Sequence, residues 1–369
     1  MSDAANRRAV SAIGSFVSRL PLLGRLFPGR KKHLAILKND GLGDIILFLP
    51  YAAALHEAFA ARGWRISMIV RSPWSDLVRR AGCADRIIVQ PPYRDPLQWL
   101  CFRLSFWTSH CFDSIVEAVC EAHDITDCCH PKTRVNIYLD EIWRAPERPD
   151  TRSIDVRGMT IRERYAAVLE ACGVDSEVPP FDFSKLSDPV PAEWTDRPFI
   201  AVCAETSDPR RCWEMEKFSE LTRRLGEKFR RRIVFIGSDR ERAQRIIDAS
   251  RSPCDMLNLC GKTTVFQLFT LASRAEFLVS CETGTAHVAT ACGTRCFIIC
   301  GKGDHGFFVP YPEGVEGRSV FSIFADGSCR GCNWKDPECG KLAVYKCVAD
   351  ISVAQVERVI AENFAPDRR

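Results

Sequence analysis

The sequence contains no unbroken run of about 18 apolar residues, the length at which a helix crosses a bilayer, so no spanning segment is expected. The glycine loop after its first strand, residues 38–44, lacks the G-x-G-x-x-G spacing, so the usual dinucleotide fingerprint is absent there. No clear small-residue cleavage site follows the first basic residues, so a secretory signal is not indicated. Charge of one sign is scarce outside the first 32 residues. The total is +4, and residues 1–32 hold seven Arg or Lys against one Asp, leaving −2 on the remainder. With no aromatic–basic stripe either, a nucleic-acid footprint is excluded. Cysteine is plentiful instead: 19, an odd number, several inside apolar runs (Cys203, Cys296, Cys300). Without a signal peptide, that usage predicts reduced thiols and a cytoplasmic location.

At 369 residues, 46% apolar and 27% charged, the chain has room for two globular domains. Val10, Ile13, Val17 and Leu20 recur at helical spacing among Arg7, Arg8, Arg19, Arg25, Arg30, Lys31 and Lys32. Residues 7–32 thus read either as a basic amphipathic segment suited to an anionic membrane surface or as a plain extension. From residue 33, strand and helix patterns alternate, which predicts an α/β fold. Strands are expected at 33–37, 65–70, 86–89 and 113–119, with helices at 45–59, 74–81 and 161–172. Five prolines between 174 and 198 mark a break, after which strands at 199–203, 232–236, 277–280 and 296–300 alternate with helices. The expected organisation is a leader (1–32), a first Rossmann-like domain (33–183), a linker (184–198), a second (199–325), a Cys-rich loop (326–350) and a C-terminal helix (351–369). That last helix is expected to pack back across the first domain.

Three places carry chemistry. The stretch 277–293 predicts a strand, a polar turn at Glu282, Thr283 and Gly284, and a small-residue helix holding His287. A turn of this kind presents backbone N–H groups at a helix start, an anion site, with Glu282 placed to accept from ribose hydroxyls. Alternatively, His287 is a satisfied core histidine of an ordinary α/β unit. The loop 38–44, with Gly41 and Gly43, brings Asp44 to a helix start at the carboxyl edge of a sheet, as an N-cap or as a general base. Cys329, Cys332, Cys339 and Cys347 form C-x2-C-x6-C-x7-C, read either as a closed tetrahedral thiolate site for zinc or iron or as reduced thiols. Cys111, Cys120, His123, Cys128, Cys129 and His130 match no metal spacing and read as buried thiols.

Residues 36–44 with Pro50, together with Gly261–Thr263 and Glu282–His287 followed by Gly293 and Thr294, resemble the paired signatures of glycosyltransferase family 9, the ADP-heptose:lipopolysaccharide heptosyltransferases. The resemblance implies a GT-B fold, two Rossmann-like domains facing across a cleft. It implies that Asp44 is the catalytic base and that Thr206, Ser207 and Arg211 lie in the diphosphate-binding loop. Thr283, Gly284 and His287 would surround the diphosphate, with Glu282 near the donor. Arg211 stands where the family usually has lysine, and Glu282 where it usually has aspartate. The implied reaction is inverting transfer of heptose from ADP-heptose to a lipopolysaccharide core, or to a protein hydroxyl, without a catalytic metal. No Asp-x-Asp pattern suited to holding Mg²⁺ is present. Cys-rich loops in some family members hold a metal, which here would be structural. A non-catalytic nucleotide-sugar-binding protein is the contrasting class.

Overall fold

Short apolar runs separated by glycine and polar loops become the strands of two parallel sheets. The computed structural model describes residues 31–91, 98, 101–102, 112–119, 133–136, 151–311, 319–327, 329, 332 and 334–365. The chain divides into two units, Met1–Phe181 and Asp182–Arg369. The basic stretch up to residue 30 and the Cys/His group from Cys111 to His130, apart from residues 112–119, lie outside the described residues.

In the first unit β1 (His33–Leu37), β2 (Arg65–Arg71), β3 (Arg86–Gln90), β4 (Ser114–Glu117), β5 (Thr133–Asn136) and β6 (Thr151–Ser153) form one sheet. Its order is β3-β2-β1-β4-β5-β6 and its pairs are parallel. Parallel sheets are covered on both faces, and Leu34, Ala35, Ile36 and Leu37 of β1 are fully buried accordingly. Helix α1 (Leu42–Ala61) follows, then α2 (Ser75–Ala81) and α3 (Ile161–Ala171), the last packed on α1.

Two expectations change here. The N-cap of α1 is Gly41, and Asp44 sits inside the first turn, so Asp44 is not the cap. Its carboxylate instead meets the positive end of the helix dipole. Helix α1 is also, by length and mean hydropathy (20 residues, 1.3), apolar enough to cross a membrane. The broken apolar run hid this, because His56 and Glu57 interrupt the letters without lowering the average enough. Half of that window is buried inside the unit, where Ile45, Phe48, Leu49 and Leu55 form core.

Lys38, at the end of β1, is fully buried. Its ammonium donates to Asp40 (2.5 Å), the Ala118 carbonyl (2.8 Å) and the Tyr165 hydroxyl (2.8 Å). A buried cation is tolerable only when its donors are met like this. The three bonds join the 38–44 loop to the end of β4 and to α3.

The second unit repeats the arrangement. β7 (Phe199–Cys203), β8 (Arg232–Phe235), β9 (Met256–Asn258), β10 (Phe277–Cys281), β11 (Cys296–Ile299) and β12 (Val320–Ile323) pair in parallel in the order β12-β11-β10-β7-β8-β9. Counted within the unit, this is the same order as the first sheet. The helices are α4 (Met215–Phe229), α5 (Arg240–Ser250), α6 (Val265–Arg274), α7 (Gly284–Ala291), α8 (Lys346–Ala349) and α9 (Val353–Asn363). The Thr264–Gln267 capping box on α6 is formed, both bonds at 3.1 Å. Residues 184–198 are laid along α6: the Asp188 N–H donates to the Phe266 carbonyl (3.2 Å), Gln267 to the Pro189 carbonyl (3.3 Å), and Arg274 to Thr195 (2.8 Å).

Helix α9 uses its apolar face within its own unit, packing on α4, β11 and β12. Val356 and Ile360 are fully buried, and Phe364 meets Phe229 and Phe277 edge-on at 5.5 and 4.7 Å. That face completes a cover the sheet needs.

Lys38→Met should destabilise the first unit by about 2–4 kcal/mol, because the Ala118 carbonyl and Asp40 lose a cationic donor. Chemical denaturation of the full chain, monitored for its separate transitions, checks this; an unchanged profile would show that the ammonium does not hold the loop.

Candidate functional site

In the second sheet the strand order reverses between β7 and β10, which pair as Val202 with Val279 and Cys203 with Ser280. Connections leaving these two neighbours run to opposite faces, and the crevice between them is where doubly wound sheets take ligands. Residues 204–213 follow β7. Thr206 donates its hydroxyl to the Asp208 carbonyl (2.5 Å). Asp208 accepts from the Arg210 backbone and from its Nε, both at 3.0 Å. The Arg210 guanidinium, with that backbone N–H, holds the Asp208 carboxyl below its usual range. The turn Pro209–Arg211 closes on a bond from the Arg211 N–H to the Asp208 carbonyl (2.9 Å), leaving Ser207 exposed.

The loop is clamped from beneath. Arg242 of α5 donates to the carbonyls of Ala204 and Trp213, each at 2.6 Å. Glu205 accepts from the Ser238 N–H (2.6 Å), the Ser238 hydroxyl (2.8 Å) and the Asp239 N–H. Gly237 makes room for it: a Cβ there would lie 2.8 Å from that carboxyl group, and φ is +137°. Trp213 is fully buried and donates its indole N–H to the Ile351 carbonyl (2.9 Å). Behind the loop the Cys212 thiol is drawn down to about 6 by a hydrogen bond from the Cys281 thiol, whose own value is raised.

Glu282 leaves the end of β10 and meets the Arg211 guanidinium in an ion pair. Its other carboxylate oxygen lies 3.0 Å from His287 Nε2, and His287 Nδ1 meets the Tyr311 hydroxyl. Glu282 and His287 are 11% and 4% exposed, so this part of the cluster is nearly dry. Burial alone would raise the Glu282 carboxyl; the bond to His287 and the Arg211 charge outweigh it and hold the group below the ordinary value. At the start of α7, Ala286 and His287 donate to the Thr283 carbonyl (3.0 and 3.3 Å), and the Thr283 side chain does not cap. The N–H groups of Gly284 and Thr285 precede these first intrahelical bonds and point out of the helix end.

Of the residues singled out from sequence, Arg211, Glu282, Thr283, Gly284 and His287 therefore form one cluster, with Thr206 and Ser207 on its rim. Tyr311 belongs to it and carries no local motif; only its position after β11 in a nucleotide-fold unit hints at a site role. Asp44 is half-buried in the first unit, and a Cβ on exposed Gly41 would lie 3.5 Å from its Oδ2; Gly43 is buried.

Cys329, Cys332, Cys339 and Cys347 share one neighbourhood. Burial, then the nearby charges of Cys347, Cys332 and Cys339, push the Cys329 thiol up. Burial and the charges of Cys332 and Cys339 likewise raise Cys347, which accepts from the Lys302 N–H (3.3 Å). Among the described residues, no three His, Cys, Asp or Glu side chains stand as a ready metal-binding set. The thiols are gathered but not closed into a coordination shell.

Comparison with known proteins places this geometry. Residues 163–324 match the family model described as glycosyltransferase family 9 (heptosyltransferase). Lipopolysaccharide heptosyltransferase 3 of Escherichia coli is 23% identical over 183 residues, 47% of this chain and 53% of that protein. The chain thus spans about half the length of this curated relative. Two solved structures share the fold. E. coli heptosyltransferase WaaC with ADP-2-deoxy-2-fluoro heptose has a TM-score of 0.64 at 17% identity, covering 90% of this chain and 100% of that one. The iron-containing dodecameric glycosyltransferase TibC of enterotoxigenic E. coli has a TM-score of 0.55 at 16% identity, covering 90% and 76%. The matched segment, residues 163–324, contains the crevice cluster around Arg211, Glu282 and His287, and over that segment the chain is similar to glycosyltransferase family 9.

Proposed function

We propose that the chain is an inverting glycosyltransferase that moves a heptose from ADP-heptose to a hydroxyl of a lipopolysaccharide core, on a fold of the GT-B type. The observation carrying this reading is the Arg211–Glu282–His287 cluster beside the open N-terminus of α7, at the β7/β10 switch point. A nucleoside diphosphate suits that place: its phosphates take the N–H groups of Gly284 and Thr285, and the Arg211 fork grips them bidentately. As the sugar–phosphate bond breaks, negative charge grows on the diphosphate, and both groups stabilise it there. Asp44 takes the proton of the attacking hydroxyl, which is a poor nucleophile until deprotonated. Arg211 and α7 supply the positive charge that the leaving group needs, so this reading calls for no catalytic metal.

Cys329, Cys332, Cys339 and Cys347 would hold a structural zinc or iron through four thiolates. Burial and the charges of neighbouring thiolates raise Cys329 and Cys347, a condition that a divalent cation relieves. A second reading keeps the same chemistry in a related transferase with a protein hydroxyl as acceptor. The enzyme would work in the cytoplasm, with residues 7–32 resting on the inner face of the membrane.

Calorimetric titration of ADP, UDP and GDP into the full chain is expected to favour ADP. Arg211→Met should weaken ADP about 10- to 100-fold, the worth of a lost charge-assisted contact. Equal affinity for all three diphosphates would sink the donor assignment. Asp44→Asn should retain ADP affinity while transfer drops about 10²- to 10⁴-fold; undiminished turnover would remove Asp44 as the base.

Glu282 also sets a pH dependence. Because its folded value is depressed, its stabilising contribution is complete above the ordinary 4.5 and is lost as pH falls through the folded value. Thermal unfolding from about pH 6 to about pH 3 should fall more steeply in the native chain than in Glu282→Gln. Parallel curves would show that the carboxylate is not held by Arg211 and His287.

A further inference from the structure

The loop that carries Asp44 is tied down on both sides. Lys38 fastens it to the end of β4 and to α3. On the other side the Asn39 amide donates to the Gln90 side-chain oxygen (2.6 Å), at the last residue of β3. β2 lies between β1 and β3, so this bond crosses the carboxyl end of a strand. Ligands of doubly wound sheets sit at that edge.

The two amides satisfy each other only in part. Asn39 and Gln90 are 0% and 1% exposed. Neither Asn39 Oδ1 nor Gln90 Nε2 has a hydrogen-bond partner among the described residues. Exchanging oxygen and nitrogen on both amides preserves the bond between them, so either assignment leaves one donor and one acceptor unmet. A pair of apolar side chains of the same shape would fill this space without that penalty, so stability does not account for the amides. Unmet polar groups at this depth are rare and call for another explanation.

The chemistry of the unmet groups defines what would answer them. A carboxylate or phosphate oxygen only accepts, and an ammonium only donates, whereas a hydroxyl does both. Asp44 is close along the same loop. A Cβ on Gly41 would lie 3.5 Å from Asp44 Oδ2, and the Asn39 and Gly41 Cα atoms are at most about 7.6 Å apart, two peptide steps. The pair and the carboxylate are thus within reach of one saccharide.

We propose that Asn39 and Gln90 are specificity-determining residues of an acceptor subsite, binding a non-reacting hydroxyl of the sugar whose attacking hydroxyl gives its proton to Asp44. The inference rests on the transferase reading above. Engagement takes a turn of the Asn39 amide about its terminal torsion, a broad one, toward the exposed side of the loop at Gly41. Until then the amides hold each other and the loop keeps its shape. A site that binds a hydroxyl in this way rejects an analogue lacking it, because its own polar groups then stay unmet.

The test is calorimetric titration of delipidated lipopolysaccharide core oligosaccharide, and separately of ADP, into the full chain and its Asn39→Leu/Gln90→Met variant, with thermal unfolding of both proteins. The variant should bind the oligosaccharide about 10- to 100-fold more weakly and ADP equally well. Its unfolding midpoint should not fall, since both partners of an imperfectly met pair are removed together. Gln90→Met alone, a milder change, should cost the oligosaccharide about three- to tenfold and ADP nothing. Undiminished oligosaccharide affinity in the double variant would overturn the proposal and assign the unmet groups to an ordered water. A lowered midpoint with equal losses for both ligands would also overturn it, marking the pair as structural. A native chain that binds ADP but no oligosaccharide would overturn the acceptor reading itself, and the proposal with it. The first two failures leave that reading standing, so the cases are distinguishable.

Discussion

The parallel pairing of β7 with β10 is the constraint from which the rest of the second unit follows. Because these strands are neighbours yet their connections leave to opposite sides, the Arg211 turn and the Glu282 turn must end beside each other. Nothing in either loop alone brings a guanidinium to a buried carboxylate. The sheet does so, and the clamps on the β7 loop by Arg242, Glu205 and Trp213 keep it there. Glu282 is buried only because Arg211 and His287 both reach it, since a lone carboxylate at that depth would be expelled or protonated.

Much of this was legible in the sequence for local reasons. β1, β7 and β10 are apolar runs ended by polar or glycine turns, and the helices show strong caps such as Thr264 with Gln267. The turn at Glu282–Gly284 is visible because small residues and a helix start occur together. The short strands β9 and β12 are not, because three or four residues carry too little periodicity and depend on β8 and β11 for pairing. Helix α1 begins three residues earlier than its apolar letters suggest, since Gly41 caps it through backbone geometry rather than through a side chain.

The parts of the site that stayed hidden are long-range. Tyr311 and Trp334 reach His287 and Arg211 from 24 residues away and from another loop altogether, and no spacing rule connects them. Lys38 reads as one more basic residue of a polar loop, whereas the fold buries it and meets its three donors. The prolines of 174–198 indicated a break in secondary structure correctly, but not that the segment would be hydrogen-bonded along α6.

The Arg211–Glu282 pair has a consequence for discrimination. The Arg211 cation is paired with a carboxylate on its own chain, so the local field offers little to a stray monovalent anion. A small ion arriving there competes with an intramolecular partner held at high effective concentration. On the proposed donor reading, a diphosphate presents several charged oxygens at once and engages the helix end in the same encounter, which is what exchanging places with Glu282 would require. The Arg211–Glu282 pair is in this sense self-quenched.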